Sequence, residues 1–238
     1  QVFSDRSWIM IYKSIFIDLD DTLWDTYHNN KECLEELYTD YHFNRYYASF
    51  EAFFDIYMPH NLDLWAKYRS GEIDRQTLIL DRFLYVLRPL GIEDKKTVLS
   101  VNNDFLQRTT KTRLVPGAIE LLEYLRPSYR LFILSNGFRE VQFKKLSNAG
   151  LAPYFERMIL SEDANIQKPH KGIFDFALKN TNSRRSESLM IGDSWEADII
   201  GAYQSKIDQI WLNPEGLPAV GFIPTYTVRS LDEIRSIL

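Results

Sequence analysis

Five short apolar segments, each closed by polar residues, constrain the fold of this 238-residue chain more than any other feature. They are mostly continuous rather than alternating, which is typical of strands buried on both faces of a sheet. Helical patterns separate the last four, and strands that alternate with helices predict a parallel sheet with helices on both faces. The apolar segments are residues 14–17, 129–134, 158–160, 189–191 and 209–212.

One long region interrupts this alternation. Residues 25–108 show apolar side chains at helical spacing and no strand pattern, with Asp74 as a candidate N-cap. We therefore predict two domains: an α/β core formed by residues 1–24 and 109–238, and a helical insert at 25–108. We expect the insert to lie over the carboxyl ends of the strands, where open α/β sheets bind ligands.

Composition narrows the function classes. Apolar residues make up 45% and charged residues 26% of the chain, which predicts a sizeable buried core rather than disorder. The net charge of −5 disfavours binding of a nucleic-acid polymer, whereas a small phosphorylated metabolite stays compatible if a bound metal inverts the local field. No segment is long enough to span a bilayer, so we predict no membrane partner.

Processing and redox signals are few. Residues 1–9 lack the apolar run and the small-residue cleavage site of a signal peptide. Cys33 is the single cysteine, so the chain forms neither an internal disulfide nor a thiolate metal cluster. This usage fits a reducing compartment, and we expect a cytoplasmic protein.

The segment Asp18-Leu19-Asp20-Asp21-Thr22 follows the first predicted strand directly. Residues two apart on an extended segment point the same way, so Asp18 and Asp20 converge on one point. Two neighbouring carboxylates need a cation or a shared proton, and Mg²⁺ prefers oxygen ligands. Taken alone, the segment also fits an acidic turn after a strand.

Two further motifs offer groups that suit a phosphate. Ser135 and Asn136 end the second strand with hydrogen-bond donors, and Gly137 lets the backbone approach closely. Lys168, after the third strand, would neutralise phosphate charge. A plain turn and a solvated lysine are the alternatives, and we interpret His170 as a helix cap or solvent-facing residue.

The fourth strand delivers Gly192 and Asp193 to its tip, followed by a helix start. A carboxylate there suits Mg²⁺, and Asp198, one turn into the helix, could support the ligands. Ordinary acidity at a helix N-terminus is the alternative, and it applies most to Glu196.

Together these motifs resemble those of the haloacid dehalogenase superfamily of aspartate-nucleophile phosphatases. The matching residues are Asp18-Leu-Asp20-Asp-Thr22, Ser135-Asn136-Gly137, Lys168-Pro169 and Gly192-Asp193-Ser194 through Asp198. The resemblance covers nearly the whole chain and implies a Rossmann-like parallel sheet core with an inserted helical cap domain. A closer resemblance, to the house-cleaning pyrimidine 5′-nucleotidase branch, lies in residues 64–73, 168–178 and 211–213.

The resemblance implies roles for these residues. Asp18 would be the nucleophile, Asp20 the general acid and base, and Ser135 and Lys168 the groups that hold the transferring phosphoryl oxygens. Asn136 and Gly137 would complete the substrate-binding loop. Mg²⁺ would be held by Asp18, the Asp20 main-chain carbonyl and Asp193, with Asp198 orienting the metal ligands.

Several functions share this pattern. A nucleoside 5′-monophosphatase and a broad phosphatase for small sugar phosphates differ only in the cap, where Trp65, Tyr68, Phe53 and Phe54 are candidates for stacking on a base. A phosphomutase would share every motif. A dehalogenase needs neither Asp20 nor Mg²⁺, and a receiver domain lacks a cap.

Two positions depart from the family pattern. Asn165 stands where many relatives have glycine, and Lys206 stands in place of a glycine after the last motif's helix. Asn tolerates left-handed backbone, whereas Lys206 is expected to be strained.

Overall fold

The computed structural model describes residues 11–108 and 111–238. The interpretation of residues 1–9 and the predicted domain boundary at 109 both lie outside the described residues. The chain forms two compact units. An α/β unit contains the described residues up to Leu23 together with Leu114–Gly137 and Leu151–Leu238, and a helical unit contains the described residues of Trp24–Arg113 together with Phe138–Gly150.

The α/β unit is built on a six-stranded parallel sheet in the order β3-β2-β1-β4-β5-β6. The strands are β1 Ser14–Ile17, β2 Arg130–Ser135, β3 Arg157–Leu160, β4 Ser188–Gly192, β5 Asp208–Leu212 and β6 Tyr226–Val228. The first five confirm the strands predicted from the apolar segments. β6 was not predicted because three residues with one buried side chain show no measurable periodicity.

Both faces of the sheet are covered. Phe16 of β1 and Phe132 of β2 belong to a buried cluster with Ile173 and Phe174 on one face. Ile15 and Ile17, which point to the opposite face, are fully buried as well. The continuous apolar strands therefore reflect burial on two sides, and the predicted α/β fold class is confirmed.

The helices of both units can be named in chain order. They are α1 Thr26–Asp40, α2 Phe50–Ser70, α3 Arg75–Leu87, α4 Lys95–Arg108, α5 Ala118–Leu125, α6 Arg139–Asn148, α7 Ser161–Ala164, α8 Lys171–Asn180, α9 Gly201–Gln204 and α10 Leu231–Ile234. A π-helix, Trp195–Ile200, precedes α9. Sequence periodicity predicted one regular helix there, and the structure divides it into a π-helix and α9.

The helical unit has an aromatic core. Phe53 of α2 is fully buried and its ring lies 5.4 Å from that of Phe43 and 5.9 Å from that of Tyr57. Local signals set the helix ends. Asp74 caps α3 as predicted, accepting a hydrogen bond from the Thr77 amide at 2.8 Å.

One segment is grouped differently from the predicted domain boundaries. α6 packs with the helical unit, because Phe138 and Val141 join a cluster with Leu64, Leu78 and Trp65. The predicted boundaries placed this segment in the core, since sequence position alone associates it with β2.

Both departures from the family pattern adopt left-handed backbone, with φ of 51° at Asn165 and 55° at Lys206. Asn accommodates this conformation because its short polar side chain can form hydrogen bonds to the nearby backbone. A lysine lacks this option, and the left-handed backbone costs roughly 1–2 kcal/mol. The strain expected at Lys206 is therefore present in the backbone. Among the described residues, none of the helices combines the length and the apolar character needed to cross a bilayer.

Candidate active site

The order of the strands reverses at β1, which lies between β2 and β4. In a parallel sheet such a reversal leaves a crevice beyond the carboxyl ends of the strands. The chain places Asp18 directly after β1, Ser135 at the end of β2 and Asp193 directly after β4. The sheet topology thus brings three sequence motifs to one edge of the α/β unit.

Lys168 links two buried carboxylates at this edge. Its Nζ donates to Asp18 Oδ1 and to Asp198 Oδ1, both at 2.7 Å, and to the Leu134 carbonyl at 2.7 Å. The side chain is only 2% exposed. Three acceptors match the three N–H donors of an ammonium group, so the lysine is held in one position.

The lysine backbone is fixed by the side-chain amide of Asn136. Asn136 Nδ2 donates to the Lys168 carbonyl at 3.0 Å, and the Lys168 amide donates to Asn136 Oδ1 at 2.9 Å. Both ends of the side-chain amide thus bond the backbone of Lys168, and the predicted donation from Asn136 to a phosphate oxygen stays a prediction. The role that the geometry gives Asn136 is positioning Lys168.

Ser135 and Gly137 form a tight turn after β2. Ser135 is buried, and its Oγ accepts a hydrogen bond from the Gly137 amide at 3.0 Å. The turn places the hydroxyl of Ser135 at the carboxyl end of its strand, next along the sheet from Asp18. Its role in phosphate binding stays a prediction.

Thr22 connects Asp18 with Asp193. Its Oγ1 lies 3.0 Å from Asp193 Oδ1 and 3.3 Å from Asp18 Oδ2, and it accepts a hydrogen bond from the Asp193 amide at 3.1 Å. Because the hydroxyl has one proton, the shorter contact to Asp193 is the better donor bond. Sequence reasoning included Thr22 in the first motif but gave it no role.

Asp198 reaches the site from the π-helix. The amides of both Asp198 and Ile199 donate to the Ser194 carbonyl, at 2.9 and 3.2 Å, which widens the turn. Asp198 Oδ2 accepts from the Ser194 amide at 3.1 Å. A Cβ added at Gly192 would lie 2.2 Å from Asp198 Oδ2, so only glycine leaves room for this carboxylate.

The carboxylates of Asp18, Asp193 and Asp198 form a group that suits a metal ion. One oxygen from each lies within 4.8 Å of the others. If ionised, the three carry −3 and the Lys168 ammonium +1, which leaves a formal −2 that one divalent cation would neutralise. Oxygen donors of this kind are those that hard divalent cations prefer. The residues therefore fit a metal ion, and the supporting role of Asp198 beside the metal ligands stays a prediction.

The remaining predicted residues are placed as follows. Asp20 is half-buried two residues after Asp18, and its negative charge contributes to the raised Asp18 pKa. His170 begins α8, and its Nδ1 accepts from the Gly172 amide at 3.0 Å, so its interpretation as a helix cap is confirmed. Glu196 is exposed.

The model of the haloacid dehalogenase-like hydrolase family matches residues 12–205. The chain belongs to this family. The match spans strands β1 to β4, the helices of the insert and each of the four motifs, and it confirms the resemblance inferred from the sequence. The chain is thus an enzyme, a haloacid dehalogenase-type phosphatase.

Relatives within the hydrolase family differ in specificity. The pyrimidine 5′-nucleotidase YjjG of Escherichia coli is 34% identical over 94% of this chain and 96% of its own. A glyceraldehyde 3-phosphate phosphatase of Pyrococcus abyssi is 31% identical over 84% of this chain and 80% of its own. The crystal structure of the HAD-hydrolase YfnB of Bacillus subtilis, bound to magnesium, matches with a TM-score of 0.85 and 29% identity, over 95% of this chain and 98% of that one.

The electrostatics of the site follow from burial. Burial raises the pKa of the Asp18 carboxyl to about 7, against the opposing effect of Lys168 and with the help of the neighbouring charges of Asp198 and Asp20. Burial and the charge of Asp18 also raise the pKa of Asp193. For Lys168, burial acts to lower the pKa, but Asp18 and Asp198 outweigh it and raise the pKa.

These pKa shifts predict a pH-dependent affinity for a divalent cation. A cation must displace protons from Asp18 and Asp193, so affinity should fall as pH decreases through 7 and should level off at higher pH. We expect the Mg²⁺ dissociation constant, measured by titration calorimetry at constant ionic strength, to increase by up to about tenfold per proton displaced for each pH unit below 7. Glu196→Gln, which removes an exposed carboxylate from the same π-helix, should leave the profile unchanged. A dissociation constant that is equal at pH 6 and pH 8 would contradict this account.

Proposed function

We propose that this enzyme is a Mg²⁺-dependent phosphomonoester hydrolase that acts through an aspartyl-phosphate on Asp18, with a nucleoside 5′-monophosphate as substrate. The supporting observation is the position of Asp18, at the tip of β1, 2.7 Å from the Lys168 ammonium and within 4.8 Å of two further carboxylates. A carboxylate so placed has a fixed direction, a neighbouring cation and a site for a metal.

In the first step an Asp18 carboxylate oxygen attacks phosphorus. The new P–O bond forms as the bond to the leaving alcohol oxygen breaks, and Asp20 donates the proton that this oxygen needs. In the second step water attacks the same phosphorus, Asp20 takes up the water proton, and the bond to Asp18 breaks. Inorganic phosphate leaves and both carboxyl groups return to their starting states.

The other residues of the site position the phosphoryl group and neutralise its charge. Lys168 faces the charge that develops on the phosphoryl oxygens, and Ser135 offers a hydroxyl donor to one of them. Asp18, Asp193 and the Asp20 main-chain carbonyl would hold Mg²⁺, with Asp198 as a further candidate ligand. When bound, Mg²⁺ supplies positive charge to the phosphoryl oxygens.

A nucleotide substrate is supported by the relationship to a pyrimidine 5′-nucleotidase over nearly the whole chain. A small sugar phosphate is the second candidate, because a glyceraldehyde 3-phosphate phosphatase is 31% identical.

The predicted stacking residues divide into two groups. Phe53 and Phe54 are buried in the core of the helical unit, whereas Trp65 and Tyr68 are partly exposed while packing on Phe138.

The other reaction classes fit the residues less well. A dehalogenase needs no proton donor beside the leaving group, so Asp20 and the acidic group at Asp193 would have no purpose. A phosphomutase differs only in retaining a bisphosphate intermediate, and transfer of the phosphoryl group between hydroxyls without release of inorganic phosphate would identify it. The long helical region after β1 does not fit a receiver domain.

Asp18→Asn should abolish turnover. The amide is nearly the same size as the carboxylate but cannot form the acyl phosphate, so we expect at least about a thousandfold loss of kcat with the circular dichroism spectrum retained. Asp21→Asn is the matched control, because Asp21 is exposed, lies at a φ of 61° that Asn tolerates, and is not assigned to the chemistry. Turnover by folded Asp18→Asn within tenfold of the wild type would refute the nucleophile assignment.

Asp20→Ala should separate substrates by their leaving groups. A nucleoside 5′-monophosphate needs a proton on its departing alkoxide, whereas p-nitrophenolate leaves with little assistance. General acid catalysis contributes about 10² to 10⁴-fold. The loss of kcat for the nucleotide should therefore exceed, by that factor, the loss of the rate of phosphoenzyme formation from p-nitrophenyl phosphate. Burst kinetics with p-nitrophenyl phosphate should also show a slower second step. Equal losses on both substrates, without a burst, would instead assign Asp20 a structural role.

A panel of phosphomonoesters tests the substrate class. At saturating Mg²⁺ we expect pyrimidine nucleoside 5′-monophosphates to give the highest kcat/KM, ahead of purine nucleotides and of triose and hexose phosphates. Nucleoside 3′-monophosphates serve as the matched control, since they carry the same base on a differently placed phosphate. If sugar phosphates exceed every nucleotide, the nucleotidase assignment is wrong while the phosphatase assignment stands.

A further inference from the structure

Asp193 is held through both of its main-chain groups, the amide and the carbonyl. Thr22 Oγ1 accepts from the Asp193 amide at 3.1 Å and contacts the Asp193 carboxylate at 3.0 Å. On the other side, the indole Nε1 of Trp211 donates to the Asp193 main-chain carbonyl at 2.9 Å. This carbonyl lies just beyond the end of β4, outside the strand, and the side chain of Trp211 provides its hydrogen-bond donor.

The sheet register explains how Trp211 reaches this carbonyl. β4 and β5 are parallel neighbours, and Trp211 is the register partner of Gly192, the last residue of β4. Trp211 is only 3% exposed, so its ring occupies one packed position beside the strand end. A residue one position further along β5 would point to the opposite face of the sheet.

Aromatic packing fixes the orientation of the indole. The ring centroid of Trp195, the first residue of the π-helix, lies 4.6 Å from that of Trp211. Phe222 stacks on Trp195 at 4.9 Å, and Tyr203 stacks on Phe222 at 3.8 Å. Three further rings thus support the ring of Trp211, whose N–H group is directed at the backbone of a candidate metal ligand.

From this geometry we propose that Trp211 is a positioning residue for the metal site, acting through the Asp193 main chain. The indole fixes the peptide plane that follows Asp193, and so the direction in which the Asp193 side chain leaves the backbone. Thr22 holds the amide and the carboxylate of the same residue. The inference rests on the metal-binding part of the proposed function and concerns only residues of the α/β unit.

Trp211→Phe tests this role, since it removes the N–H group and keeps a ring in contact with Trp195. Loss of a residue that orients a metal ligand typically weakens metal binding about 10- to 100-fold, so we expect the Mg²⁺ dissociation constant from calorimetry to rise by that factor. The melting temperature without Mg²⁺ should fall by only a few degrees. Activity at saturating Mg²⁺ should recover most of the wild-type kcat, because Trp211 touches neither substrate nor metal.

Trp195→Phe is the matched control. It makes the same change in the same aromatic stack but removes no hydrogen bond to Asp193, so Mg²⁺ affinity should stay within about twofold of the wild type. An unchanged Mg²⁺ dissociation constant in folded Trp211→Phe would overturn the proposal. Equal weakening in both variants would overturn it too, because the stack rather than the N–H group would then be responsible.

A measurement on the wild-type enzyme covers the case in which Trp211→Phe does not fold. The indole ¹⁵N–H resonance of Trp211 should shift during a Mg²⁺ titration, with the midpoint found by calorimetry. A Trp211 resonance that stays fixed through Mg²⁺ saturation would overturn the proposal. If the wild type binds no Mg²⁺, this proposal and the metal role fail together, whereas Mg²⁺ binding without phosphatase activity would refute only the proposed function.

Discussion

The buried ammonium of Lys168 is the interaction on which the rest of the site depends. Asp18 and Asp198 are both almost inaccessible to solvent, and without a cation between them their charges would repel in a poorly screened environment. Removing one partner of a buried ion pair typically costs about 3–5 kcal/mol, because the other charge stays behind without compensation. The Asn136 amide, which fixes the Lys168 backbone, is therefore part of the same electrostatic arrangement.

Lys168 neutralises only part of the charge around it. The pKa values of Asp18 and Asp193 are raised, which means that protons compensate the surplus when no other cation is present. A phosphate dianion would meet repulsion from the ionised carboxylates, and a divalent cation removes that repulsion. Metal binding, carboxylate ionisation and phosphate binding would consequently be coupled at such a site, since each changes the charge that the others experience.

The sequence was sufficient to predict five of the six strands and the convergence of three motifs at one edge of the sheet, because both follow from short-range patterns. Asp18, Ser135 and Asp193 each come at the end of an apolar segment, and a parallel sheet brings such ends to one edge. The role of Asn136 and the direct contact between Asp198 and Lys168 could not be predicted in this way. These contacts join residues about 30 positions apart through side-chain orientation, which no periodicity encodes.

Local backbone geometry was predicted where the residue type itself restricts it. Asn165 and Lys206 were singled out because glycine is usual at such positions, and both have positive φ. The wider turn of the π-helix escaped the same reasoning, since it depends on how Ser194 and Asp198 satisfy each other's backbone groups. Gly192 carries a sequence signal for it, because a glycine at a strand end can mark the close approach of another side chain.

The aromatic residues of the helical unit bear on the question of specificity. Phe53 packs against several other rings, and such clusters stabilise a core by area burial and by edge-to-face contacts of about 0.5–1.5 kcal/mol each. A high aromatic content is thereby explained without a base to stack on. Side chains that recognise a nucleobase must keep part of their surface accessible, as Trp65, Tyr68 and the 42% exposed Tyr27 do. A nucleotide substrate is therefore supported by the relationship to a nucleotidase and by these partly exposed rings, rather than by aromatic content as such.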